Sequence, residues 1–233
     1  ARTPRELFTR MIGPVLLPTF AEAQDDKPRM CRGVLKITMV VSWFGCPSVV
    51  IGLLCGETIL SIVYRPDYSA VAVAFGLLCI HILFLIQGVT LSTVYFSIGQ
   101  PGKHRAFVGL RTLILMILIY PAIREFGVTG AAGAVLLANI TASSVQVIVM
   151  NRTIDLSVMA YLRSWLPGVA FATVLSVILE ISLYLGRNLP LLQVAVGILS
   201  YLIICPVGLY FFKHGDELCI AVQSDSCVAV RKE

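Results

Sequence analysis

The sequence predicts an all-α fold, a polytopic bundle of transmembrane helices. Hydrophobic residues fill 58% of the 233 positions, charged residues fill only 13%, and the mean hydropathy is +0.88. An ordinary water-soluble domain carries about a quarter charged residues, because its surface faces water. Long apolar runs also recur along the chain, and a helix needs roughly 20 apolar residues to cross a bilayer core. A water-soluble fold is therefore excluded.

Six full apolar runs and one partial run follow one another along the chain. The partial run, residues 7–20, has the composition of the end of a helix, and a chain without an initiator methionine is expected to be a piece of a longer protein. The full runs are residues 34–54 (with an amphipathic continuation to residue 64), 69–98, 106–123, 130–150, 165–185 and 191–212. We therefore predict a transmembrane bundle over residues 1–213 and a cytoplasmic tail over residues 214–233.

The short links between the runs carry basic residues unevenly. One side of the membrane receives Lys27, Arg29, Arg32, Lys36, Lys103, Arg105, Arg152, Arg163 and Lys213. The other side receives Arg65, Arg124 and Arg187. Lys and Arg accumulate in cytoplasmic links, so the loop around Lys27 is predicted to be cytoplasmic. The net charge of +5 lies in these links and forms no continuous phosphate-binding stripe, so no nucleic-acid partner is expected.

Catalytic and metal-binding patterns are not visible. None of the seven cysteines forms a Cys-x-x-Cys pair, and most lie inside apolar runs, which favours helix packing over metal or disulfide chemistry. His81, in the second run, is the residue on which an enzyme would depend, but no Ser–His–Asp constellation accompanies it. The sequence therefore predicts no cofactor, no metal and no enzyme.

Polar side chains inside the apolar runs are candidates for substrate binding. Asn139 and Gln146 lie seven residues apart, hence on one helix face, where they either line a path for a hydroxyl-rich substrate or bond between helices. Hydrogen bonding between helices is favoured over a substrate path. Glu180 in the fifth run either faces a water-filled cavity, pairs with a neighbouring cation or reaches the membrane surface. These alternatives stay open at the level of sequence.

Arg5 and Arg10 extend this set, and Arg111 is a further charged residue inside an apolar run. Arg5 and Arg10 lie near the partial run, and the planar guanidinium group matches phosphate in a bidentate fashion. The alternative for both is a place at the outer membrane interface. Arg111 lies about two turns into the third run, and we expect its side chain to reach the cytoplasmic headgroups.

A ridge of small side chains follows the fourth run. Gly130, Ala134, Ala138 and Ala142 are spaced four residues apart and so share one helix face. Small residues let helix backbones approach closely in lipid. Static packing is favoured over a sliding surface.

Four segments in order carry a resemblance to a known family. They are residues 15–21 followed by Asp25-Asp26, the Pro47 helix leading into residues 56–68, the turn at residues 98–103, and the small-residue segment 126–134. Together they resemble polysaccharide flippases of the MOP exporter superfamily, close to O-antigen and lipopolysaccharide flippases. The resemblance covers roughly residues 5 to 190.

The resemblance implies a fold, a function and partners. It implies the second lobe of a two-lobe transporter, with the N-terminal lobe absent, in the bacterial cytoplasmic (inner) membrane. The implied cargo is an undecaprenyl-diphosphate-linked oligosaccharide, moved by alternating access among membrane lipids, with polysaccharide polymerase machinery as a further partner. Arg10 is the position that the resemblance nominates for the lipid diphosphate, whereas Glu180 inherits no family role.

Two other functions remain open. A cation-coupled multidrug exporter of the same superfamily would use Glu180 as its coupling carboxylate. A membrane acyltransferase or glycosyltransferase would depend on His81.

Overall fold

The fold is entirely helical over the part of the chain that the structure describes. In a computed structural model, the described residues are 16–64, 66–185, 194–203 and 206. Residues 16–22 are helical and are followed by α1 (Lys27–Leu54), α2 (Gly56–Val63), a 3-10 helix (Pro66–Val71), α3 (Ala72–Ser97), α4 (Pro101–Ile154), α5 (Val158–Arg163), α6 (Leu166–Leu185) and α7 (Val194–Ile203). The predicted all-α class is confirmed.

Four helical stretches among the described residues are long and apolar enough to cross a membrane. They are Lys27–Leu54, Asp67–Ser97, Pro101–Ile154 and Val158–Ser182. They contain the predicted first and second runs, the third and fourth runs together, and most of the fifth. The chain is therefore a multi-pass membrane protein by the length and composition of its helices.

The first span begins earlier than predicted and ends at Leu54, as predicted. α1 begins at Lys27, well before residue 34, because the Asp26 side chain caps it by accepting a hydrogen bond from the Arg29 N–H at 3.0 Å. The predicted continuation to residue 64 is a separate helix. α1 ends at Leu54, and α2 starts after Cys55, whose N–H still bonds to the Ile51 carbonyl at 2.8 Å.

The 54-residue helix α4 is folded back on itself at Gly127. A straight helix of that length would measure roughly 80 Å, against a bilayer core of about 30 Å. Gly127 adopts φ 58° and ψ −134°, which breaks the helical path. A Cβ added to Gly130 would collide with the Ala122 carbonyl oxygen, so the backbones touch beside the fold. The first arm (residues 101–126) and second arm (residues 128–154) match the predicted third and fourth runs.

The two arms meet again at their far ends. Lys103 Nζ donates a hydrogen bond to Thr153 Oγ1 at 2.9 Å, which makes the arms an antiparallel hairpin. Lys27 Nζ lies 3.0 Å from Asp155 Oδ2, and Cys31 Sγ donates to the Ile154 carbonyl at 2.9 Å. The start of α1 and both ends of the hairpin therefore lie at one end of the bundle, which we call the basic end. Gly127 lies at the opposite end.

The core lies between α1, α3 and the second arm. Val34, Leu91, Val94, Tyr95 and Met150 belong to one cluster, and each has at most 1% of its surface exposed. The small-residue ridge is buried, as its packing role requires: Gly130, Ala134, Ala138 and Ala142 are all buried residues of the second arm. Because lipid gives apolar side chains no reason to associate, close packing of this kind is what holds such helices together.

α6 approaches α1 closely on the other side of the bundle. A Cβ on Gly168 would collide with the backbone and hydroxyl of Ser42, and Ser42 Oγ donates to the Trp165 carbonyl at 3.0 Å. Trp43 stacks on Phe171 with ring centroids 5.1 Å apart. The lateral position of α6 is thus set by one close backbone contact and one aromatic pair.

Some predictions fall outside the described residues. These are most of the partial run, with Arg5 and Arg10, and the tail from residue 214. Of the sixth run, only 194–203 and 206 are described.

Candidate functional site

A polar cavity of about 390 Å³ lies between α3 and the two arms of the hairpin. Ligand sites in proteins commonly measure about 300–1,000 Å³ and place a few polar groups among apolar ones. The polar groups on this wall are Ser92, Thr93, His104, Arg111, Asn139, Ser143 and Gln146. We call this space the polar cavity.

α3 contributes one stripe of its surface. Leu85, Val89, Ser92 and Phe96 recur three or four residues apart, so they share a helix face and all line the cavity. Gly88 lies within the stripe, and a Cβ added there would meet no atom within 4 Å. The missing side chain at Gly88 therefore adds open space to the cavity.

The first arm supplies the arginine and the histidine of the lining. His104, Phe107, Val108 and Arg111 line the cavity at spacings of three and four residues. The His104 ring lies against Phe96 with centroids 5.1 Å apart, which joins the arm to α3. The sequence favoured an Arg111 side chain reaching the headgroups, whereas the structure places this half-buried residue on the cavity wall.

The second arm supplies amide groups from its buried face. Asn139 and Gln146, predicted to share a face, both line the cavity and are only 4% and 5% exposed. Among the described residues, Asn139 Nδ2 and Gln146 Nε2 have no hydrogen-bond partner. A buried polar group without a partner costs about 1–3 kcal/mol, so these donors favour a ligand or water that accepts from them.

The cavity is suited to an anionic or hydroxyl-rich ligand. Its described lining contains the Arg111 guanidinium and several neutral donors but no Asp or Glu. Arg111 and His104 both lie in the part of the first arm nearer to Lys103 than to Gly127. The cationic side of the cavity thus faces the basic end of the bundle.

The structure brings together two of the five predicted site residues. Asn139 and Gln146 share the polar cavity, whereas Glu180 is exposed on α6 and does not line it. Arg5 and Arg10 lie outside the described residues. The roles of all five stay predictions.

His104 and Arg111 were missed as cavity residues by sequence reasoning. Their spacing of seven residues, equal to that of Asn139 and Gln146, was the signal that could have found them. Both pairs place two polar side chains on one helix face.

A metal cluster and a site at His81 are two further candidates, which the positions of side chains in the described part of the chain address. No group of three or more His, Cys, Asp or Glu side chains comes together there as a metal site would require. His81 on α3 is half-buried and does not line the polar cavity.

Comparisons with known proteins bear on the resemblance stated above. A family model described as "Polysaccharide biosynthesis protein" matches residues 1–89. The capsular polysaccharide biosynthesis protein CapF of Staphylococcus aureus is 22% identical to the chain over 138 residues. That match covers 58% of this chain and 35% of CapF, so the chain spans about a third of its relative. No solved structure matches the chain with comparable significance.

Both matches fall on proteins of polysaccharide synthesis, the field to which the motifs pointed. In addition, four helical stretches of the described chain are long and apolar enough to cross a membrane. The resemblance is therefore confirmed at the level of polysaccharide biosynthesis proteins, and the chain is a multi-pass membrane protein that is similar to that family over residues 1–89.

Proposed function

We propose that this chain is part of a flippase that carries undecaprenyl-diphosphate-linked oligosaccharide across the bacterial cytoplasmic (inner) membrane, for lipopolysaccharide or exopolysaccharide synthesis. The observation that carries the proposal is the polar cavity, which places Arg111, Asn139 and Gln146 between otherwise apolar helices. Because the chain spans about a third of its curated relative, the activity proposed is that of the whole transporter.

The lining fits the diphosphate and the sugars of such a cargo. The Arg111 guanidinium can bind phosphate oxygens with two parallel hydrogen bonds, and such charge-assisted bonds are stronger than neutral ones. The unpaired amide donors of Asn139 and Gln146 suit sugar hydroxyls and carbonyls. An anion in hydrocarbon is strongly disfavoured, so a path across the membrane needs a protein wall of this kind.

The position of the cavity fits the direction of transport. Its cationic side faces the basic end, and the excess of Lys and Arg predicts that this end is cytoplasmic. A cargo assembled in the cytoplasmic leaflet would therefore meet Arg111 first. Alternating access would then expose the cavity to the other leaflet.

Finer parts of the proposal follow from the family resemblance. The bundle would have six full spans and one partial span and would form the second lobe of a two-lobe transporter. Arg10, with Arg5, would add to the diphosphate site, and polymerase machinery would receive the cargo. Glu180 would lie outside the binding site.

The experiment restores the full transporter gene in a flippase-deficient bacterium and compares Arg111→Gln with Arg105→Gln. Arg105 is an exposed arginine on the same arm that does not line the cavity, so it is a matched control. We expect Arg111→Gln to lower surface polysaccharide at least tenfold and to trap lipid-linked units in the cytoplasmic leaflet. Equal restoration by both variants, at equal protein levels, would refute the role of the cavity.

The same system separates transport from the two alternatives. A flippase leaves the mass of its cargo unchanged, so mass spectrometry of lipid-linked units before and after transport should show no added acyl or sugar group. A drug exporter driven through Glu180 would lose drug efflux in Glu180→Gln while keeping surface polysaccharide. We expect Glu180→Gln to have no effect on either.

A further inference from the structure

A second cavity, of about 290 Å³, lies between α3, the second arm and the α5–α6 segment. Its wall is formed by Phe84, Ser143, Ser144, Val147, Ile148, Val158, Tyr161, Leu162 and Trp165. The rings of Phe84 and Trp165 stack with centroids 5.7 Å apart, and Tyr161 meets Trp165 edge-on at 6.4 Å. We call this space the aromatic pocket.

The aromatic pocket and the polar cavity adjoin each other. Ser143 lines both spaces. On the facing helix, the consecutive residues Phe84 and Leu85 line one space each, and Gly88 leaves open space one turn further on. On both helices, the residues that line the polar cavity and those that line the aromatic pocket therefore lie within about one turn of each other.

We infer that one amphiphilic ligand occupies both spaces, with its diphosphate and first sugar in the polar cavity and the adjoining isoprenoid units in the aromatic pocket. This inference rests on the proposed function and assigns the hydrocarbon part of the cargo a site of its own. The lining of the aromatic pocket contains no charged side chain, so it suits hydrocarbon.

Because Ser143 lines both spaces, a hydrocarbon chain tied to the headgroup in the polar cavity suits the aromatic pocket. A ligand that spans two adjoining subsites binds the second at high effective concentration once the first is filled. A free phospholipid chain gains no such advantage, because its own headgroup stays at the membrane surface. Aromatic faces at Phe84 and Trp165 then hold the flat isoprene units beside the diphosphate.

The test compares two variants of the full chain in lipid nanodiscs. Ile148 and Leu137 are aliphatic side chains of the second arm, 52% and 57% exposed. Ile148 lines the aromatic pocket, whereas Leu137 lines a groove beside the hairpin fold. Ile148→Trp fills the aromatic pocket, and Leu137→Trp is the matched control with the same bulk on the same helix. Because both sites are exposed, both variants are expected to fold.

The probes are farnesyl diphosphate and inorganic diphosphate. We expect farnesyl diphosphate to bind the unchanged chain more tightly than inorganic diphosphate does. Ile148→Trp should weaken farnesyl diphosphate binding about tenfold, since it displaces a few buried methylene groups, while leaving inorganic diphosphate binding unchanged. Leu137→Trp should change neither.

Two results would overturn the inference while leaving the proposed function intact. One is equal binding of the two probes that Arg111→Gln still abolishes. The isoprenoid part of farnesyl diphosphate would then contribute nothing to binding. The other is labelling of Trp165 by a phosphatidylcholine with a photoreactive chain that farnesyl diphosphate does not displace. If Arg111→Gln changes the binding of neither probe, the proposed function is refuted. The inference, which rests on that function, is then refuted as well.

Discussion

Gln87 on α3 donates a hydrogen bond from Nε2 to Oγ1 of Thr38 on α1, at 2.6 Å, and both side chains are at most 2% exposed. Thr38 Oγ1 in turn donates to the Val34 carbonyl at 2.8 Å. A polar bond between helices inside a membrane contributes about 0.6 kcal/mol on average and up to roughly 1.7 kcal/mol. This pair therefore fixes the register of α3 against α1.

Thr38→Val should destabilise the bundle by about 1–2 kcal/mol, because it removes the acceptor and leaves the Gln87 amide buried without that partner. The measurement is the free energy of unfolding in detergent by chemical denaturation. Thr112→Val is the control, since Thr112 is exposed and its hydroxyl bonds only back to the Val108 carbonyl of its own helix. Equal losses of unfolding free energy in the two variants would show that the hydrogen bond between Gln87 and Thr38 adds no stability of its own.

Gly88→Leu should block transport without loss of stability. A side chain at Gly88 enters the open space of the polar cavity, and replacing glycine in a helix removes a penalty of about 1 kcal/mol. Gly109→Leu is the control: its added Cβ also meets no atom within 4 Å, but Gly109 does not line the cavity. Restoration of surface polysaccharide and thermal unfolding should both be measured. Full transport by Gly88→Leu would show that this space is not on the cargo path.

Gly127→Ala should strain the hairpin. A φ of 58° combined with a ψ of −134° is open to glycine and strained for alanine, which implies a destabilisation of roughly 1–3 kcal/mol. Gly133→Ala, on the helical second arm with no atom near the added Cβ, should be neutral or slightly stabilising. Thermal unfolding in detergent measures both variants. A smaller shift for Gly127→Ala than for Gly133→Ala would contradict the fold-back at Gly127.

The two ends of the hairpin should label from opposite sides of the membrane. Gln100 and Glu125 are both exposed, next to the basic end and next to the fold at Gly127. Gln100→Cys and Glu125→Cys are introduced after replacement of the seven native cysteines. A membrane-impermeant maleimide should reach Glu125→Cys in intact cells and Gln100→Cys only in inverted vesicles. Labelling of both from one side would overturn the predicted orientation.

The long spans were predictable because lipid requires long uninterrupted apolar runs bounded by breakers. α3, at Ala72–Ser97, lies within the predicted 69–98, and it ends at the Gly99-Gln100-Pro101-Gly102 sequence. The start of α1 was placed too late. Its first turns are basic and were read as a link, whereas Asp26 caps the helix before they begin.

The polar cavity was predictable only in part. The spacing of Asn139 and Gln146 puts them on one face, and in the structure both line one space. Sequence gives the depth of Arg111 in the membrane but not the direction of its side chain, so its place on the cavity wall was not predictable. A soluble helix reveals its buried side by its apolar stripe. In these helices the lipid-facing and core-facing sides are both apolar, so the stripe is absent.

Composition and run length by themselves determined that this chain is a bundle of membrane-crossing helices, and the basic links predicted which ends lie together. Each of these properties depends on how a single segment interacts with the bilayer, independently of the other segments. Tertiary structure decided which helix faces meet, since that depends on close contacts such as Gly130 with Ala122 and Gly168 with Ser42. The polar cavity and the aromatic pocket exist where α3 and the second arm do not fill the space between them, and that fit involves several helices at once.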